Sequence, residues 1–226
     1  MDEIANKILR TKEALSIVCH NCGRDPSSVR LIAVSKKKSI AHIQAALKAG
    51  QIDFGENYAQ EFRDKQTELA SQKIVWHFIG HLQKNKVKYI APHAEWIHTL
   101  DSFELAQVLE QKASRNLKVL LQVNIGDEEK KSGIAEKNLL NVAAQIFSHT
   151  TLEVRGLMCI PPFSEKPEDS RPYFVRLRKL LDELNLKLKP KTEMTELSMG
   201  MSHDYQIALE EGASMIRLGS AIFGER

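Results

Sequence analysis

The chain has 226 residues, of which 42% are hydrophobic and 27% charged, an ordinary globular balance that excludes intrinsic disorder and a membrane-embedded protein. A formal net charge of +3, with Lys and Arg spread along the chain, is too mild to point to nucleic acid but suits a small anionic ligand. Three cysteines make an odd set for a secreted disulfide framework, and no apolar run reaches signal-peptide or membrane-spanning length, so a cytoplasmic protein without nucleic-acid or membrane partners is expected.

Residues 3–22 place Ile4, Ile8, Leu15 and Val18 at near-helical spacing and predict an amphipathic helix ending near Gly23. Cys19 and Cys22 form a Cys-x-x-Cys, but at the carboxyl end of that helix, where the dipole disfavours a thiolate. Zinc would need two more ligands and only the distant Cys159 remains as a thiol, so ordinary cysteines are expected. Next, Leu31-Ile32-Ala33-Val34-Ser35-Lys36 is an apolar run of strand length that ends abruptly in a lysine. Bounded by turn residues and followed by a helical pattern, it reads as a strand buried on both faces in a parallel sheet.

Seven further strand candidates follow at 52–54, 74–79, 96–99, 119–125, 152–158, 195–199 and 215–218. They alternate with helical patterns at 39–48, 57–70, 82–90, 102–115, 136–148, 169–186 and 203–211. This α/β alternation predicts a closed (β/α)8 TIM barrel, with residues 1–226 as a single domain. Only residues 219–226 follow the last strand, so the amino-terminal helix is expected to cover the barrel side left by a very short final helix. The irregular stretch 160–172 reads as a loop at the barrel mouth.

Lys36 then stands at the carboxyl end of strand one, the end at which parallel α/β folds bind ligands. Partial burial there lowers the pKa of an amine, and a neutral amine attacks carbonyls. Ser198-Met199-Gly200-Met201-Ser202 joins strand seven to a helix, and Gly219-Ser220 opens another directly after strand eight. Loops in these two places commonly hold a phosphate, although Ser202 and Ser220 are equally read as helix caps. Arg217, between apolar neighbours, either pairs with an acid or faces a ligand. Asn57 either caps the next helix or hydrogen-bonds a ligand, and Tyr58 is expected to pack within that helix's first turn. His77 and His81 mimic a helical metal pair but fall on a strand and its turn, which separates the rings. Lys131-Ser132-Gly133 offers a further anion contact or a solvated loop.

The stretches Ala33-Val34-Ser35-Lys36, Phe54-Gly55-Glu56-Asn57-Tyr58, Trp76-His77-Phe78-Ile79-Gly80, Lys131-Ser132-Gly133-Ile134, Leu197 through Asp204, and Arg217-x-Gly219-x-x-Ile222-Phe223-Gly224 resemble the pyridoxal phosphate homeostasis proteins, also called proline synthase co-transcribed proteins. The resemblance runs essentially end to end. It implies a barrel of the alanine-racemase N-terminal-domain type, with pyridoxal 5′-phosphate (PLP) held as a Schiff base on Lys36. It further implies phosphate binding by Ser198, Met199, Gly200, Met201, Ser202, Gly219 and Ser220, with Arg217 near the pyridine nitrogen; His203 is given no role. The function implied is intracellular PLP homeostasis, in which a monomer holds the cofactor and delivers it to apo PLP-dependent enzymes.

Two rival functions bear on the same lysine. A PLP-dependent racemase or decarboxylase would need proton donors and acceptors on the substrate's faces, of which Lys36 supplies one, and racemases of this barrel type carry a second domain for which this chain leaves no length. A Schiff-base aldolase would use a barrel lysine without PLP, yet strand six contains none.

Overall fold

The structure, a computed structural model, describes residues 2–114, 116–128 and 131–224. Its elements run α1 (Asp2–Asn21), β1 (Arg30–Val34), α2 (Ile40–Lys48), β2 (Asp53–Glu56), α3 (Ala59–Glu68) and β3 (Val75–Phe78). Then come α4 (Val87–Ile90), β4 (Trp96–Leu100), α5 (Phe103–Lys112), β5 (Lys118–Asn124), β6 (Ile134–Ala135) and α6 (Glu136–His149). The last third comprises β7 (Glu153–Met158), α7 (Arg171–Leu188), β8 (Glu196–Ser198), α8 (Tyr205–Glu210), β9 (Met215–Leu218) and α9 (Ser220–Phe223).

The strands pair in parallel in the order β4-β3-β2-β1-β9-β8-β7-β5, and β4 also pairs with β5, so the sheet closes on itself. The (β/α)8 barrel expected from the alternation is therefore present. β6 lies outside the barrel and extends β5 through the pair Val123 and Ile134. Gly133 permits this: its φ is +130°, and a Cβ there would meet the Asn124 nitrogen at 2.7 Å, so only glycine lets the two backbones approach this closely.

Because each strand is covered by helices outside and filled by side chains inside, its alternate residues build two separate cores. The outer core joins residues such as Phe54, Phe62, Phe78, Leu109 and Phe174 between sheet and helices. The inner core is small: Ile32, Trp96, Leu120, Met158 and Met215 form one apolar layer. Each such fully buried side chain contributes about 1.5–3 kcal/mol. Beside that layer, toward the carboxyl ends of the strands, the barrel interior is polar.

The four-residue α9 cannot cover the seam between β1 and β9, and α1 does so instead, packing on α2, α8 and α9 with Ile8, Leu15 and Cys19 buried. Burial pushes the Cys19 thiol pKa up, against a reactive thiolate. The pattern at 82–90 proves shorter than the single helix expected, a 3-10 turn at Lys84–Lys86 followed by the one-turn α4, with no side chain capping either start. Among the described residues no helix is long and apolar enough to cross a membrane.

Candidate functional site

Lys36 lies two residues beyond β1, in a turn closed by the Lys38 amide donating to the Ser35 carbonyl at 3.0 Å, with Lys37 left-handed at φ 59°. Charged side chains of α3 and β2 fix this turn from below. Lys65 Nζ donates to the Ser35 carbonyl at 2.7 Å, to Glu56 Oε1 at 2.8 Å and to Glu61 Oε2 at 2.9 Å. Ser35 Oγ donates to Glu56 Oε1 at 2.6 Å, and the Lys37 amide donates to Glu61 Oε2 at 2.7 Å. Both backbone neighbours of Lys36 are thereby tied to one buried ion cluster. Burial pushes the Glu56 carboxyl pKa up, against the opposing pull of Lys65 and Ser35.

Above the turn is a cavity of about 520 Å³ at the carboxyl mouth of the barrel. Its walls carry three cationic side chains, Lys36, Lys38 and Arg217, and no carboxylate among the described residues. Asn57, Ser202 and Ser220 add polar groups, while Val34, Ile79, Ile160, Phe163 and Met201 supply apolar surface. Lys38 Nζ donates to the carbonyls of Phe223 and Gly224, each at 3.2 Å. Asn57 Oδ1 is buried with no hydrogen-bond partner among the described residues, an acceptor that a ligand donor would satisfy. A chamber of about 540 Å³ opens at the opposite end of the barrel, but its walls mix Arg30 and Lys12 with Asp53 and Glu196, and it is remote from Lys36.

Between the two ends runs a chain of buried polar groups. Arg30 Nη1 donates to Asp53 Oδ1 at 3.0 Å, and the same oxygen lies 3.0 Å from His77 Nε2. His77 Nδ1 is 2.9 Å from His98 Nε2, and His98 Nδ1 is 2.8 Å from Ser198 Oγ. Arg217 completes it, Nη1 donating to Ser198 Oγ at 2.6 Å and Nη2 to the Cys159 carbonyl at 3.0 Å. Burial lowers the pKa of both imidazoles, that of His98 well below its ordinary value, so both are neutral near pH 7. Burial also pushes the Asp53 carboxyl up, but the hydrogen bonds and charges of His77 and Arg30 outweigh it and hold the pKa below the ordinary value. Arg217 is lowered by burial and keeps its charge regardless.

Of the residues singled out from sequence, Lys36, Asn57, Met201, Ser202, Arg217, Gly219 and Ser220 line one cavity. Ser198, Met199 and Gly200 do not: Ser198 is turned inward to Arg217 and His98, Met199 joins the outer core, and Gly200 (φ +90°) packs against α8, where a Cβ would lie 2.6 Å from Ala208 Cβ. Neither serine is a cap residue, since Asp204 and Gly219 hold the cap positions of α8 and α9. Asp204 instead secures the loop, Oδ1 accepting from the Met201 amide at 2.7 Å and Oδ2 from Ser170 Oγ at 3.0 Å. The cap of α3 is Tyr58, not Asn57, and the Tyr58 ring is 47% exposed instead of packed. Of the two readings of Arg217, an acid partner or a ligand, its hydrogen-bond partners among the described residues are a hydroxyl and a carbonyl, and its side chain borders the cavity. His77 is enclosed in the barrel and His81 is exposed at its mouth. Lys131 pairs with Glu128 and donates to the Pro161 carbonyl. Sequence reasoning missed His203 in the cavity wall, and missed Glu56, Lys65 and His98 altogether; period-two alternation within the strands was the signal for His98.

The fold and a mouth-facing lysine after the first strand define a class, and residues 20–226 match the family described as alanine racemase, N-terminal domain. The chain is 40% identical over 223 residues to the pyridoxal phosphate homeostasis protein of Aquifex aeolicus, covering 97% of each. It is 42% identical over 229 residues to that of Pseudomonas aeruginosa, covering 100% of this chain and 97% of the other. The structure of PipY from Synechococcus elongatus with PLP bound superposes with a TM-score of 0.86 at 36% identity, over 98% of this chain and 100% of that one. This chain belongs to the pyridoxal phosphate homeostasis protein family.

Proposed function

We propose that this protein binds PLP covalently through Lys36 and serves intracellular PLP homeostasis, holding the cofactor and delivering it to apo enzymes. The observation that carries the reading is the cavity wall, which among the described residues has three cations, no carboxylate and an unpartnered buried acceptor around a lysine whose turn is held by a buried ion cluster. That donor set fits a dianionic aldehyde. The relatives' names and the PLP bound to PipY support the same group.

When bound, PLP supplies an aldehyde that forms an imine and a ring that withdraws electrons. Lys36 Nζ is the amine that would hold that aldehyde and could give it up again to an incoming amine. Lys38 Nζ donates to two carbonyls, and the Lys37 side chain is exposed outside the cavity wall. Ser202, Gly219 and Ser220 sit together where the two last loops meet and hold the phosphate, with Lys38 adding charge. Arg217 would meet the ring, and Asn57 would hydrogen-bond a polar substituent of it. Ser198, Met199 and Gly200 shape this site from behind. The whole chain acts as one domain, as a monomer, in the cytoplasm.

The test is the visible spectrum of the protein loaded with PLP, followed by borohydride reduction and peptide mass mapping. The expected result is a yellow protein labelled at Lys36 that reactivates an apo PLP enzyme without turning over amino acids. A label mainly on Lys37, Lys38 or Lys131 overturns the assignment, and saturable amino-acid racemisation or decarboxylation abolished by Lys36→Ala establishes an enzyme instead.

A further inference from the structure

We propose that Asp53, His77, His98 and Ser198 form a one-way positioning relay that fixes the guanidinium of Arg217 and thereby tunes the cofactor it faces. This rests on the reading of Arg217 given above.

The direction of every bond follows from the two ends. Arg217 can only donate, so Ser198 Oγ accepts from Nη1, and at the other end the Asp53 carboxylate can only accept, which through two neutral imidazoles leaves the single Ser198 hydrogen for His98 Nδ1. With Nδ1 accepting, the His98 hydrogen resides on Nε2 and is donated to His77 Nδ1. His77 in turn carries its hydrogen on Nε2 and donates it to Asp53 Oδ1. An ionised carboxylate can only accept, so the chain terminates correctly there as well. With Asp53 ionised, no other arrangement of two neutral imidazoles satisfies all four contacts, because a reversed chain would leave a bare His77 Nε2 facing the carboxylate.

The middle of the relay is enclosed, with His77, His98 and Ser198 fully buried and Arg217 3% exposed, while Asp53 borders the chamber at the opposite end. Hydrogen bonds aligned in one sense polarise one another in such surroundings, so a change at Asp53 reaches Arg217 although the two stand at opposite ends of the chain. The charged and titratable groups around it are Arg30 and Glu95 near His77, and Asp204 and the Cys159 thiol near Arg217. The apolar face is supplied by Trp96, whose ring stacks on His77 at 6.0 Å between centroids. Together with the Cys159 carbonyl, the relay occupies both terminal nitrogens of Arg217, leaving it no freedom to rotate toward an acid.

Two measurements test this. Nitrogen-15 NMR of the protein without cofactor should show His77 and His98 neutral, each with its hydrogen on Nε2. In PLP-loaded protein, the pH midpoint of the visible band should move in Ser198→Ala and in His77→Phe, which fills the ring's space but cuts the chain. The shift should be about half a pH unit or more, in the direction produced by Arg217→Ala. Ser198→Thr, which keeps the hydroxyl, should restore it. A hydrogen on His98 Nδ1 overturns the relay. So does a midpoint that moves in Arg217→Ala but in neither Ser198→Ala nor His77→Phe. A midpoint unmoved by Arg217→Ala overturns both the relay's effect on the cofactor and the role given to Arg217 itself.

Discussion

Lys65 Nζ lies 2.7 Å from the Ser35 carbonyl oxygen, so a side chain from α3 grips the backbone immediately before Lys36. The same ammonium neutralises Glu56, whose side chain is fully buried. Breaking one partner of a buried pair leaves the other charge uncompensated, so Lys65→Met should destabilise the protein by about 3–5 kcal/mol. Lys65→Met combined with Glu56→Gln should recover part of that loss, because the two substitutions share one contact. Urea unfolding of the four proteins measures the cycle, and additive effects would contradict the clamp.

The buried imidazoles set a pH dependence with a definite sign. The folded pKa values of His77 and His98 lie below the ordinary 6.5, so the unfolded chain binds protons there that the folded chain refuses. Their contribution to stability is present above pH 6.5 and is lost as pH falls below it, by up to about 1.4 kcal/mol per pH unit for each histidine. Glu56 acts oppositely. Its folded pKa is raised above 4.5, so its penalty grows as pH rises through that region. Urea midpoints between about pH 7.5 and 5.5 should therefore decline on acidification, with net proton uptake on unfolding seen by calorimetry in two buffers.

Pyridoxal, which lacks the phosphate, should bind at least about tenfold more weakly than PLP, since each charge-assisted hydrogen bond lost is worth roughly 1.5–3 kcal/mol. Equilibrium dialysis with Lys36→Ala protein separates this contribution from the covalent bond. Equal affinities would remove the phosphate from the Ser202, Gly219 and Ser220 corner.

Gly80 is where the Asn57 loop crosses β3's carboxyl end, and a Cβ there would stand 2.0 Å from the Asn57 carbonyl oxygen. Backbone cannot yield as a side chain does, so Gly80→Ala should cost about 1–3 kcal/mol or more and displace Asn57. Unfolding midpoint and PLP affinity should fall together.

The strand and helix rhythm was legible because parallel strands buried on both faces read as plain apolar runs, as at 31–34 and 215–218. Lys36, Ser202 and Ser220 were legible because they follow such runs, and Arg217 because it is a charge inside one. Lys65 was not: within a helix rich in charged and polar residues, a lysine is ordinarily solvated, and only the folded chain brings Ser35, Glu56 and Glu61 around it. His98 was hidden for the opposite reason, a polar residue inside the apolar run Trp96–Leu100, whose partners come from strands β3 and β8. Ser198 reads as a ligand contact from sequence, while its hydroxyl meets Arg217 and His98 in the fold; position along the chain cannot show which way a residue at a strand end is turned.

The covering of the β1 and β9 seam by α1 also orders events during synthesis. β1 pairs directly with β9, from Arg30 against Met215 to Ala33 against Leu218, and α1 packs on α8 and α9. α1 must therefore wait for α8 and α9 before its apolar face is fully covered, and the barrel cannot close until β9 has left the ribosome. Contacts of such long sequence separation carry a large loop-closure entropy and slow the search. Until β9 emerges the nascent chain consequently carries a first strand paired only to β2, with its other edge open, and a half-covered helix, the period in which it is most exposed to aggregation and to chaperones.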